Sequence, residues 1–263
     1  MDFKTDIFEL DSKNNYSVKL VGLKLPSPKD VIFKSKKDEL FQQYESARLF
    51  IRETETDDWK HWFQTEDIKY QKLFELLFRE RFYESALIFY NIIVDLSWTL
   101  CYLSAEYALY TKDKTINLNN MMTIEESYDA LRKAENLVTN PDGINNPFNY
   151  LKHNCPEFTD SINLVIDFWK KFKNSEIRAS YNFIKHKGKP LYEEIESYNN
   201  SRVMKLSINN EFYPTDIKDV KKVVNLCDSI NKLREFDDEI LFPYIKKLFQ
   251  LLEIAVDPSP IVY

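Results

Sequence analysis

Residues 86–110 read ALIFYNIIVDLSWTLCYLSAEYALY, and their texture sets the architecture of the whole chain. Apolar side chains occur at nearly every position, so no single helical face is polar. Asn91, Asp95 and Glu106 interrupt the run with amide or charged groups. A helix hydrophobic around most of its girth belongs at the centre of a bundle. A bilayer would tolerate those three residues poorly, whereas a buried helix can satisfy them with partners. The pattern predicts one long helix over 82–111, preceded by a shorter one over 66–80.

On the N-terminal side, Leu40, Phe41, Tyr44, Ala47, Phe50 and Ile51 recur at helical steps from Lys36 onward. Residues 1–34 differ: DIFEL and YSVKLVGLKL alternate around the turn-prone DSKNN, which predicts a short β-hairpin. On the C-terminal side, TIEESYDALRKAENLV opens with a capping box and predicts a helix to about residue 138. NPDGINNP reads as a loop. Helical pieces follow at 157–174 and 175–187, then a short strand pair at 203–213. A final helix or helix pair spans 216–255, with Pro243 expected to break or kink it. The expected fold is mainly α, a helical bundle with a small N-terminal β extension over 1–34. One helical domain fills 35–263 and carries a short second hairpin.

Composition removes several function classes. Three glycines in 263 residues argue against Gly-rich phosphate loops, dinucleotide folds and turn-dense β architectures. A net charge of −6 argues against a dedicated duplex-DNA binder, so any nucleic-acid contact must come from a local basic patch. Cys101, Cys155 and Cys227 are odd in number and far apart, unlike a disulfide scaffold or a zinc finger. A reducing cytoplasm fits that usage, and MDFKTDIFEL lacks the order of a signal peptide. The expected protein is soluble and cytoplasmic, with no membrane partner and no cofactor or metal.

The candidate site lies in IRASYNFIKHKGKP, residues 177–190. Arg178, Asn182 and His186 recur every four residues and form a polar ridge on a helix. Around them, 168–190 carries Lys170, Lys171, Lys173, Lys185, Lys187 and Lys189 against the single acid Glu176, a basic island in an acidic protein. A plain structural explanation covers much of this. Basic residues suit the last turn of a helix, Gly188 suits a left-handed cap and Pro190 a stop.

YNFIKH followed by KG resembles the motif helix of the HEPN superfamily, all-α proteins common in prokaryotic toxin and anti-phage systems. The family's signature is an arginine, four to six residues and a histidine, often with asparagine directly after the arginine. Asn182 and His186 match the asparagine–histidine part. Tyr181 stands where the arginine is expected, and Arg178 lies one turn earlier. Several bacterial branches of the family vary in this way, including a clostridial type ending in a similar lysine–histidine–basic–glycine run.

The resemblance implies a metal-independent endoribonuclease, a toxin or anti-phage effector acting as a homodimer, with an antitoxin protein as a further partner. RNA cleavage through its own 2′-hydroxyl needs a proton carrier and a cation. Histidine titrates near neutrality and suits the first role for His186; Arg178 suits the second, with Asn182 orienting either. Lys185, Lys187 and Lys189 would draw in the backbone, with Tyr181 and Asp95 lining the site and Asp95 holding the Arg178 guanidinium. The alternative keeps the fold and drops the chemistry: a non-catalytic module binding RNA, a nucleotide or a protein partner. A third reading is a bundle with no site at all.

Elsewhere the signals are weaker. His61 in DDWKHWF has acids nearby but no metal-ligand spacing, and His153 with Cys155 in LKHNCPEF could form a nucleophile–base pair only if the loop oriented both. Trp98, Tyr102 and Tyr107 read as core rather than as a base-stacking platform. The acid runs TETDD and FDDE read as solvated surface or helix-start charges.

Overall fold

The computed structural model describes residues 3–6, 28–56, 67–112, 125, 126, 129, 131–134, 146–198, 204–208, 211–215 and 222–255. Within them the protein is mainly α-helical. The expected N-terminal hairpin, the 140–145 part of the loop and His61 lie outside the described residues. The first helix, α1 (Pro28–Glu53), starts earlier than the apolar periodicity suggests, with a proline at its first position, so residues 28–34 are helix rather than β.

Helix α2 (Ile68–Lys112) merges the two helices expected at 66–80 and 82–111 into one of 45 residues. No glycine or proline falls within it, so nothing in the backbone calls for a break. At 1.5 Å per residue it is about 68 Å long. Its most apolar stretch could span a bilayer by length, yet 78% of that window is buried inside the protein. Helix α1 runs antiparallel along it. Phe50 of α1 stacks on Phe82 and Phe89, while Tyr44 meets Tyr90 edge-on.

The remaining helices wrap this pair. Asn146 caps α3 (Pro147–Asn154) by accepting the Phe148 N–H at 2.9 Å. A 3₁₀ turn at Pro156–Phe158 leads into α4 (Thr159–Phe172), followed by α5 (Glu176–Lys187). Strand β1 (Leu191–Tyr192) pairs in parallel with β4 (Val223–Val224), with the one-turn helix α6 (Glu193–Glu196) directly after β1. The expected second hairpin is present as antiparallel β2 (Met204–Ile208) and β3 (Glu211–Thr215). Helix α7 (Leu226–Phe236) begins just after β4, so the β1–β4 bridge returns the chain from the end of α5 to the start of α7.

Pro243 does not break the C-terminal helix. The chain passes from α7 through a π-helical turn, Asp237–Leu241, into α8 (Phe242–Ala255), where the Phe242 N–H reaches back to Asp237 O. Proline cannot donate to the carbonyl four residues earlier and crowds it, and the widened turn accommodates both defects. The same turn corrects the reading of FDDE as solvated charge. Asp237 is fully buried. It accepts from Arg48 Nε at 2.7 Å and from the Tyr90 hydroxyl at 2.7 Å, and the Tyr44 hydroxyl also bonds it. Arg48 further donates to Thr5 O and Oγ1, which ties residues 3–6 to the bundle. A buried carboxylate is tolerable only with such partners.

Candidate functional site

Helix α5 is positioned from both ends and from beneath. Ser175 caps its start by accepting the Arg178 N–H at 3.2 Å. Ile177 faces the core, with Tyr181 and Ile184 half-buried on the same side. Gly188 ends the helix at φ 92, ψ −171. The positive φ expected there is real, but the residue lies in the extended mirror region that glycine alone occupies comfortably, not in the left-handed helical cap.

The polar ridge does not stay on one line. Four residues advance a helix by 400°, so each step drifts about 40°, and Arg178 and His186 end about 80° and 12 Å apart. Arg178 falls on the flank, half-buried, where Nη1 donates to Asn91 Oδ1 of α2 at 3.0 Å. Its guanidinium sits 5.0, 5.3 and 5.9 Å from the ring centres of Tyr181, Trp169 and Phe172. Asn182 is half-buried on the shoulder of the helix, and His186 is exposed on its crest. Asn182 and His186, one turn apart, share the solvent side; Arg178 is withdrawn from them.

Three supporting roles change accordingly. Lys189 forms an ion pair with Glu80 of α2, whose side chain is wholly buried, so this lysine anchors the chain after α5 rather than awaiting a ligand. Asp95 is half-buried one turn beyond Asn91, and the Arg178 hydrogen bond goes to Asn91 instead. Tyr181 packs between two cations, with Lys185 Nζ 5.7 Å from its ring centre. Lys185 and Lys187 are exposed, as are Lys170, Lys171 and Lys173 at the end of α4 and just beyond it. Exposed lysines therefore stand at both ends of α5.

Just beyond α5, the Tyr192 hydroxyl donates to Glu84 Oε1 at 3.2 Å. Burial raises the Glu84 carboxyl pKa, against the opposing pull of Tyr192 and Arg81. Glu80 and Glu84, one turn apart on α2, thus fasten Lys189 and Tyr192 on either side of Pro190. Glu194 accepts the Leu226 and Cys227 N–H groups at 2.9–3.0 Å and caps α7.

The other sequence candidates do not assemble. His153 is exposed while Cys155 is buried, its thiol directed at Ala105 O at 3.7 Å, so they form no nucleophile–base pair. Trp98 and Tyr102 are core residues as expected, and the Tyr107 side chain lies outside the described residues. Sequence reasoning missed Asn91 and Glu80 as the groups that hold the α5 region. A buried asparagine demands a partner, but nothing local names one 87 residues away. No family model matches the chain, and no curated protein or solved structure shows significant similarity to it.

Proposed function

We propose that this chain is a HEPN-like helical module that binds RNA along the crest of α5. The observation that carries the reading is the exposure of His186, Lys185 and Lys187 at the end of α5, with Asn182 one turn behind. Exposed lysines neutralise phosphates and release counterions, and imidazole and carboxamide add directional hydrogen bonds. Arg178 then serves as the bolt that holds α5 against α2, not as a phosphate clamp.

The catalytic form of the same reading is a metal-independent endoribonuclease. It is favoured by the proximity of Asn182 to the imidazole. It needs a cation beside His186, which Lys185, Lys187 or the α5 of a second copy in a homodimer would supply, since Arg178 of the same protomer is turned away.

The test is single-stranded RNA incubated with the protein in a chelator, followed for both binding and integrity. Binding should weaken steeply with salt and should fall further in Lys185→Glu and Lys187→Glu. RNA that is cut in chelator by the wild type and spared by His186→Ala establishes the nuclease. Absence of RNA binding even at low salt removes both forms.

A further inference from the structure

Residues 3–6 form no helix or strand, yet they join two elements that are far apart in sequence. On one side, the Arg48 guanidinium of α1 donates from Nη1 to Thr5 O at 2.6 Å and from Nη2 to Thr5 Oγ1 at 2.7 Å. On the other, the Lys4 N–H and the Thr5 hydroxyl both donate to Asp238 Oδ1 of the π turn, at 3.1 and 3.3 Å. Lys4 Nζ also meets Glu239 at 3.1 Å. Phe3 lies beside two cations, its ring centre 4.4 Å from the Arg48 guanidinium carbon and 6.0 Å from that of Arg234 in α7. Three residues thus connect α1 to the junction of α7 with α8.

These contacts differ in kind from those beneath them. Arg48 reaches Asp237 through Nε–Oδ2 at 2.7 Å and Nη2–Oδ1 at 3.3 Å, and the Tyr44 and Tyr90 hydroxyls complete that carboxylate. None of those bonds involves residues 3–6. Lifting the segment away therefore leaves no buried charge unpaired, the outcome that makes a buried ion pair costly to disturb. What is lost lies near the surface: Lys4 is exposed, Phe3 and Thr5 are half-buried, and both partners of the Lys4–Glu239 pair are exposed, where ion pairs contribute little. A segment held by a few contacts at the rim opens at a free energy below that of the whole fold. Its opening takes two donors from Asp238, in the same turn that already accommodates the missing N–H of Pro243.

We propose that residues 3–5 are a releasable strap. They open and close over Arg48 while the bundle stays folded, and when closed they clasp the π turn, and with it the α7–α8 junction, to α1. This conformational device is separate from RNA binding at α5, and neither depends on the other.

Amide exchange of the full chain, followed residue by residue in urea below the unfolding transition, tests the strap. The slope of each opening free energy against urea scales with the surface that the opening exposes. The Lys4 amide should exchange with almost no urea dependence, and the Tyr90 amide in α2 with the steep dependence of global unfolding. Phe3→Ala and Thr5→Val should each speed Lys4 exchange about tenfold, through the lost cation–ring contact and the lost hydroxyl. In the double variant the Phe242 amide, bonded to Asp237 O, should pass from a steep slope to a shallow one while Tyr90 keeps its own. A steep slope at Lys4 in the wild type overturns the proposal, because the segment then leaves only when the bundle unfolds. That result needs no variant, so it does not depend on one folding. Lys4 exchange unchanged in both single variants overturns it as well. So does a Phe242 slope that stays steep once Lys4 is freed, which reduces residues 3–5 to a frayed end.

Discussion

Arg178 and His186 share a helix and a polar character, yet their surroundings give them opposite tasks. Arg178 satisfies the buried Asn91 and lies against three aromatic rings. Arg178→Ala should therefore destabilise the fold by about 1–3 kcal/mol, the cost of a buried acceptor left without its donor. His186→Ala should leave the unfolding midpoint unchanged. Urea unfolding of both variants checks this, and a stable Arg178→Ala would return the guanidinium to the list of free ligand groups. Asp237 makes a sharper case. Its replacement by Asn leaves Arg48 buried and uncompensated, so Asp237→Asn should cost about 3–5 kcal/mol in the same assay. The sequence showed which residue types were chemically capable at 178–186; it did not show that a 40° drift per step would turn one of them inward.

At the scale of the element, the end of α5 is held by a glycine and two glutamates of another helix. Gly188 adopts a conformation in which any side chain is strained, although open space surrounds its Cα. Gly188→Ala should lower stability by about 1–3 kcal/mol through backbone strain alone. It should also loosen the register of His186 and Lys189, visible as faster amide exchange in the last turn of α5 with α2 unaffected. Glycine and proline at 188 and 190 were legible as a stop because both act through local backbone geometry. The partners Glu80 and Glu84 were not, because an acid inside an amphipathic helical pattern looks the same whether it meets water or a lysine from a distant segment. The π turn before Pro243 follows the same division. The proline announces a defect, while the widened turn and the burial of Asp237 depend on what α1 and α2 offer opposite it.

At the scale of the molecule, tyrosines are spread through the core and link stability to alkaline pH. Burial pushes Tyr83 up to about 12, and burial with the Asp237 charge raises Tyr44 and Tyr90 well above their ordinary range. Burial also raises Tyr244. In the unfolded chain these phenols ionise near pH 10. Above that pH the folded state retains protons that the unfolded state has lost, so stability is fully present below about pH 10 and falls as pH rises further. Urea midpoints measured from neutral to strongly alkaline pH should be level and then decline, with tyrosinate absorbance appearing together with unfolding. Tyrosinate appearing in the folded protein near pH 10, at the strength of all these groups, would contradict the burial described.

By itself the sequence determined a mainly helical chain, the long apolar helix at its centre, the second hairpin and the glycine that ends α5. Each is written in periodicity or backbone preference, properties that act over a few residues and need no distant partner. Only the tertiary structure decided that Arg178 is a bolt and that Asp237 and Glu80 are buried. Those outcomes depend on which groups meet across large sequence separations, where packing and the demand of buried charges for partners set the result.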